Sequence, residues 1–363
     1  MNKVNKKSGG IGAGFLLLII GIGLLWYNEG RTVKNQSAIN EAKKNYIQVK
    51  SDAVDFKNDG KLVATKGKLD FSESEELKDT MFGISVKGIK MTRTVEVYQW
   101  KESCETDDDD KKNCTYEKVW DSELIDSNSF VEAGHSNPGS KLYESNLFVA
   151  ANVNVGAFAL PIELVNQLSC DKKKSNADLE KEYNKSVEGI KVDGNYLTNV
   201  VDNKPEIGDV RIYYEYIDSG NASVLAVQIG NTFEAYTSKN GKDIYKIYKG
   251  NYTGAQILEK MTKSNNTWKW ILRFLGVFLI IGAFNSMFSF ITNLTNKIPI
   301  LGNLVGGATS IVSTILGVSL SLIIIAIAWF RFRPILSVIL IVVVIALIIG
   351  LKMYNKNKHV DKV

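Results

Sequence analysis

Apolar residues in this chain gather in four long stretches, one at the start and three crowded at the end, and what lies between them is polar. A helix of about 20 apolar residues spans a hydrocarbon core of about 30 Å, at about 1.5 Å per residue. The pattern points to an integral membrane protein, with one N-terminal and three C-terminal transmembrane helices around a large, mostly antiparallel β (α+β) soluble domain. The first stretch, residues 9–27, carries no charge and follows Lys3, Lys6 and Lys7. Asn28-Glu29-Gly30-Arg31 comes next instead of a small-residue cleavage site, so the stretch reads as an uncleaved signal anchor, with a cleaved signal peptide as the alternative.

The other spans are expected at residues 268–291, 304–330 and 334–351, with Arg331 and Arg333 marking a tight turn that folds the last two into an antiparallel hairpin. Arg273, beside Trp268 and Trp270, suits an interfacial anchor whose guanidinium snorkels towards water. An interfacial helix that does not cross is the other reading of that segment.

Four crossings put both termini on one side and residues 28–267 on the other. Lys3, Lys6 and Lys7 in segment 1–8, with Lys352, Lys356, Lys358 and Lys362 in the tail 352–363, favour cytoplasmic termini and an extracytoplasmic or lumenal domain. Arg31, Lys34, Lys43 and Lys44 pull the other way. Cys104 and Cys114 flank the acidic insert Glu105 to Asn113 and form a possible disulfide in an oxidising compartment; two unpaired loop thiols are the alternative. Cys170 would then stand alone.

The net charge of +5 is small for 363 residues and its basic groups are scattered, which argues against nucleic acid as a partner. A mean hydropathy of -0.05 despite four apolar segments requires a strongly polar middle. That region is large enough for its own core, as one domain or as two β modules at about 47–150 and 188–250. After a polar helical connector to Tyr46, period-two alternation predicts strands at Lys61–Leu69, Gly83–Lys90, Thr92–Trp100, Tyr116–Leu124, Val210–Ile217, Ser223–Thr237 and Asp243–Tyr248. Trp100 is expected to turn at the acidic insert and return through Tyr116 to Trp120. Residues Pro161 to Val187 read as helical, and Thr253 to Ser264 as a short helix leading into the second span. Gly67-Lys68-Leu69 followed by Thr94 to Tyr98 is echoed by Gly194 to Leu197 followed by Asp209 to Tyr213, as duplicated modules or ordinary strand composition would produce.

For chemistry the chain offers little. Histidine occurs only as His135 and His359, and no Ser/His/Asp set, metal-spaced Cys/His cluster or phosphate-binding glycine loop appears, so no catalytic, cofactor-binding or metal-ligating residue is assigned. His135 reads as a turn histidine bonded to nearby backbone or as a functional loop residue. Asp107 to Asp110 read as a solvated tip or a calcium site without EF-hand spacing. The sequons at Asn221 and Asn251 matter only in a secretory pathway. Small residues recur four apart at Gly10 and Gly14, at Gly302, Gly306 and Ser310, and at Ser313, Gly317 and Ser321. They suit close helix packing, within the chain's own bundle or between copies. The absence of Asp and Glu from Trp270 to Leu351 leaves an ion pathway without a relay.

Asn28-Glu29-Gly30-Arg31, Phe82-Gly83-Ile84, Arg93 to Trp100 ending in Tyr98-Gln99-Trp100, then Trp120, Ser122, Phe130 and Gly134-His135-Ser136-Asn137-Pro138 form a collinear series. Gly208-Asp209-Val210-Arg211, the Trp268 to Gly276 entry into the membrane, and Ala328-Trp329 before Arg333-Pro334 continue it. In this order, and with the one-plus-three layout, the chain resembles the transmembrane protein 43 (LUMA) family over nearly its whole length. The resemblance implies cytosolic termini, a lumenal or extracytoplasmic domain and a self-associating scaffold without catalytic residues. In eukaryotic members it implies the endoplasmic reticulum and inner nuclear membrane, with lamins and emerin as partners. The acidic insert departs from the pattern, and the Lys, Asn and Ile bias suggests an AT-rich genome; if the source is bacterial, the cytoplasmic membrane is expected and those partners lapse.

The function expected is therefore a non-catalytic membrane scaffold, not an enzyme, that presents its β-rich domain for protein–protein assembly and membrane organisation. Its expected partners are membrane lipids, further copies of itself as a homo-oligomer, and membrane or envelope proteins of unknown identity. The alternative is a membrane sensor whose domain binds a lipid or small ligand; an enzyme or channel is the third class.

Overall fold

The alternation in residues 210–217 becomes a strand whose Val210, Ile212 and Tyr214 are buried while Arg211 and Tyr213 stay half-exposed. Period two requires that of a sheet with one wet face. The computed structural model describes residues 9–71, 76–106, 112–185, 187–295, 302–335 and 337–338. In chain order its main elements are α1 (Gly9–Asn45), β1 (Leu62–Phe71), β2 (Lys90–Thr106), β3 (Lys112–Asp121), β4 (Val210–Ile217), β5 (Gly220–Ile229), α2 (Gly254–Thr295) and α3 (Gly302–Phe332). Spatially the chain divides into a sheet unit within Asn40–Glu259 and a helical unit built from the residues before and after it.

The sheet unit holds two seven-stranded sheets among the described residues. In the first, β1 and β5 are the long antiparallel pair, running from Leu62 opposite Val227 to Leu69 opposite Gly220. Short strands flank them: Ile47–Gln48 and Val153–Val155 along β1, Thr232–Glu234 and Lys246–Lys249 along β5. In the second sheet β2 is central, with β4 along one edge and, along the other, Asn146–Val149 and then β3. Val63, Leu69, Val224 and Ala226 of the first sheet and Met91, Val95, Ile212 and Tyr214 of the second belong to one hydrophobic cluster with Phe82, Phe158 and Phe233. Each fully buried side chain of this size contributes about 1.5–3 kcal/mol.

The segments 47–150 and 188–250 do not form separate modules, because β1 of the first pairs with β5 of the second, and β2 with β4. The internal echo has no counterpart in this topology: Gly67–Leu69 and Thr94–Tyr98 lie in different sheets, whereas Tyr196–Thr198 and β4 share one. Three expected elements are shorter than their sequence pattern. Within residues 83–90 the strand Ile84–Val86 gives way to a bend before Lys90 opens β2, and 223–237 break at Gly230, where φ is +58°. Pro161 to Val187 holds two short helices, Ile162–Asn166 and Asn176–Glu182, with the strand Lys172–Lys173 between them. Conversely, β2 runs past Trp100 to Thr106, because β3 pairs with it to that point.

In the helical unit, α1, α2 and α3 are each long and apolar enough to cross a membrane, one near the N-terminus and two near the C-terminus. Most of the fourth expected span, 334–351, lies outside the described residues, as do segment 1–8 and the tail 352–363. Arg333 ends α3 by donating its N–H to the Trp329 carbonyl at 2.7 Å, and its own carbonyl accepts the Ser337 N–H at 3.1 Å. A single non-helical residue thus separates two helical stretches, as expected where the following Pro334 drives its predecessor from the helical basin. The signal anchor and its polar connector are one unbroken α1, and the short helix at Thr253 and the second span are one α2. A Thr253–Gln256 capping box starts α2, with the Thr253 N–H donating to Gln256 Oε1 at 2.8 Å.

Leu25, Ile280 and Ile324 bury one side chain from each helix. A Cβ on Gly14 would lie 2.8 Å from Met287 Cγ, and one on Gly317 2.6 Å from Ile281 Cγ1, so these small residues serve contacts within the chain.

Candidate functional site

The apolar run of α1 ends in Asn28-Glu29-Gly30-Arg31, and this motif is the centre of a polar cluster within the helical unit. Asn28 and Glu29 are both 0% exposed. Glu29 Oε1 accepts from Arg273 Nε at 2.6 Å and Oε2 from Trp329 Nε1 at 3.0 Å, so both carboxylate oxygens are taken by different helices. Asn28 Nδ2 donates to the Lys269 carbonyl at 2.9 Å, and its Oδ1 accepts from Arg31 Nη2 at 3.2 Å. One and two turns further along α1, the Thr32 carbonyl and Asn35 meet Asn265 at 3.0 and 3.3 Å. Gly30 faces Phe332, whose Cζ would lie 2.8 Å from a Cβ at that position. The Arg273 guanidinium stands 5.0 Å from the Trp270 ring centroid and 5.9 Å from that of Trp329, and Arg333 stands 5.8 Å from the latter.

A buried carboxylate beside lipid-facing helices is tolerable only when paired. Arg273 supplies the pair, its side chain only 11% exposed. The snorkelling expected of Arg273 is therefore corrected: its guanidinium is held by Glu29 and two indole rings. Three motif pieces far apart in the sequence, 28–31, 268–276 and 328–334, meet here.

In the sheet unit a second set of motif residues fastens strands together. The Tyr98 N–H donates to the Asp209 carbonyl at 2.8 Å and the Gly208 N–H to the Tyr98 carbonyl at 2.9 Å. Gly208 adopts φ +98°, a region costly for any residue with a Cβ. The Asp209 side chain accepts from Asn199 Nδ2 at 3.0 Å and from the Glu206 N–H at 2.8 Å. Gln99, fully buried, bridges the Glu123 carbonyl and the Ile125 N–H at 2.6 and 2.9 Å. Asn137 makes a two-way bridge to Trp100, accepting its N–H at 2.7 Å and donating to its carbonyl at 2.8 Å, with a third bond to the Ile125 carbonyl at 3.1 Å. Pro138 follows it half-buried.

His135 is not the backbone-bonded turn residue that is one of its two readings from sequence. Its ring stacks on Tyr116 with centroids 3.8 Å apart and meets Trp100 edge-on at 4.7 Å. Its Nδ1 is buried without a hydrogen bond among the described residues.

Cys104 and Cys114, opposite one another in β2 and β3, form a disulfide. Glu102 is the nearby carboxylate that would complete a metal-ligand set, but the bonded sulfurs offer no thiolate to an ion. Asp107 to Asp110 and His359 lie outside the described residues. Cys170 packs against Thr92 Oγ1 at 3.6 Å, and burial pushes its thiol up.

One buried cluster is absent from the sequence reading. Asp79 Oδ2 accepts from Arg93 Nη1 at 2.6 Å and from the Tyr214 hydroxyl at 2.7 Å, while Arg93 lies over the Phe82 ring at 5.3 Å. Burial first, and then the Asp79 carboxylate, drive the Tyr214 phenol far above its ordinary range. The signal available was alternation, which puts Asp79 on the same buried face as Leu77 while Lys78 between them is exposed. The outward face of the second sheet adds cation–aromatic contacts: Arg211 lies 4.8 Å from Trp120 and 5.0 Å from Tyr196, Lys118 lies 4.9 Å from Trp100, and Lys173 lies 5.2 Å from Tyr213.

No solved structure matches the chain. Among characterised sequences, mouse Transmembrane protein 43 is 28% identical over 92% of this chain and 87% of its own length. The human protein of that name is 27% identical over 94% and 88%, and a Drosophila melanogaster homolog 27% over 90% of each. Residues 97–334, more than half of the chain, match the family model Transmembrane protein 43. With apolar helices flanking a sheet-rich domain and these relatives aligned over most of their length, the chain is an integral membrane protein that belongs to the transmembrane protein 43 family.

Proposed function

We propose that this chain is a non-catalytic membrane scaffold. Its β-rich domain faces away from the cytosol and binds proteins, copies of the chain associate with one another, and four crossings place both termini in the cytosol. The observation that carries this reading is the outward face of the second sheet, where half-exposed Tyr98, Trp100, Tyr196 and Tyr213 alternate with Arg211, Lys118 and Lys173. Rigid aromatic and arginine side chains of this kind anchor protein interfaces. The motif residues support the same reading, since Asn28, Glu29, Gln99, Asn137 and Asp209 hold helices and strands in place through their polar atoms.

The test is purification of the tagged full chain from its native membrane, beside a variant carrying Trp100→Ser, Tyr213→Ser and Arg211→Ser. Proteins that co-purify with the wild type and are lost from a folded variant support the scaffold; an unchanged set of companions, or none, refutes it.

A cavity of about 490 Å³ lined by Tyr183, Val187, Ile190 and Val192, with Glu180 and Lys185 at its wall, favours a second reading, a sensor that binds a small ligand. Saturable binding of a lipid or metabolite that is abolished by Ile190→Trp would favour the sensor over the scaffold.

A further inference from the structure

The polar cluster of the helical unit is electrically unbalanced. Arg273 contacts Glu29, Lys269 lies in the field of Glu29, Arg273 and Arg333, and Arg31 joins the cluster through Asn28, which also holds the Lys269 carbonyl. Glu29 is the sole Asp or Glu in residues 9–39 and 260–338; the next carboxylates along α1 and α2 are Glu41 and Glu259, about three turns away along each helix from Glu29 and Lys269. The two oxygens of Glu29 are already occupied by Arg273 and Trp329. Within the cluster, Arg273 Nη2 and Arg31 Nε are buried donors that make no hydrogen bond among the described residues. A desolvated guanidinium N–H without an acceptor is costly, and phosphate oxygens are its best-matched partners.

The depth of the cluster identifies the source of that phosphate. It begins where the apolar run of α1 ends, and Trp26, Tyr27, Trp268 and Trp270 around it are exposed on the helix surfaces. Such aromatic side chains settle at the level of lipid headgroups, here those of the extracytoplasmic leaflet in the topology proposed above.

We propose that the Arg31–Lys269–Arg273–Arg333 cluster around Glu29 binds the phosphate of an anionic phospholipid headgroup. The lipid supplies the counter-charge that the helices lack, and Glu29 orients Arg273 for it.

The experiment titrates the full-length protein, purified in mild detergent, with phosphatidylglycerol or with phosphatidylcholine of the same acyl chains, and counts retained lipid by native mass spectrometry. One phosphatidylglycerol is expected to be retained at least roughly tenfold more tightly than phosphatidylcholine, and the double variant Arg31→Gln, Arg333→Gln is expected to lose that preference. Millimolar inorganic phosphate is expected to leave the lipid in place. Equal retention of the two lipids, displacement by inorganic phosphate, or a preference that persists in the folded double variant overturns the proposal. If the variant does not fold, the wild-type lipid comparison and the phosphate competition decide by themselves.

Discussion

Glu29 in the first membrane helix and Arg273 in the second lie 244 positions apart in sequence, yet their side chains meet at 2.6 Å with the carboxylate fully buried. Removing one partner strands the other charge. Glu29→Gln and Arg273→Gln are each expected to cost about 3–5 kcal/mol, with the double variant costing clearly less than the sum. Thermal unfolding of the four proteins in one detergent measures this; strict additivity would show that the pair is not coupled.

The Asp79–Arg93–Tyr214 cluster gives a matching expectation for the sheet unit. Tyr214→Phe removes a hydrogen bond to a buried carboxylate and is expected to cost about 1.5–3 kcal/mol, read from denaturant unfolding. A change below about 0.5 kcal/mol would mean that the hydroxyl contributes nothing there.

Alkali tests the same phenol from the other side. Tyr214 and Tyr245 are raised by burial, Tyr245 to about 12 from an ordinary value of 10.0. A group whose folded value is raised contributes stability that is fully present below the unfolded value and is lost as pH rises towards the folded one. Stability is therefore expected to fall between about pH 10 and 12, and Tyr214→Phe to make that fall shallower. A pH-independent unfolding midpoint across that window contradicts the assignment.

Asn137 and His135 separate a latch from a catalyst. Asn137→Ala strands the Trp100 N–H and two carbonyls and is expected to destabilise by about 1–3 kcal/mol. His135→Phe keeps a flat ring against Tyr116 and is expected to stay within about 1 kcal/mol of wild type. A large loss in the phenylalanine variant would show that the imidazole nitrogens matter.

Thiol chemistry reads the disulfide and the proposed orientation together. On intact cells a membrane-impermeant maleimide is expected to label Cys104 and Cys114 only after reduction, and Cys170 slowly, because burial keeps its thiol protonated. Labelling of the pair only after the inner face is opened would reverse the orientation.

The sequence made the helices and the longest strands legible through unambiguous periods: an uncharged run at 9–27 and strict alternation at 210–217. It failed where local pattern and tertiary pairing disagree. The hairpin that turns at the acidic insert was legible, but the alternation ended at Trp100, whereas β2 continues through Glu102 to Thr106 because β3 supplies its hydrogen bonds. The helix expected over Pro161 to Val187 is split because Lys172 and Lys173 pair with β4. The polar cluster was half legible. Its motif pieces stood out singly, but their meeting around Glu29 depends on how three helices pack, and the Arg273 partner could not be told from a snorkelling arginine. Asp79 escaped notice because a single acid near a strand is ordinary until burial makes it exceptional.

The most direct test of the scaffold is the mass of the full-length protein extracted in mild detergent, together with the identity of what travels with it. A defined homo-oligomer or a stoichiometric complex is the predicted result. A lone monomer, recovered repeatedly under extraction that preserves other membrane complexes, would contradict the account and shift weight to the sensor.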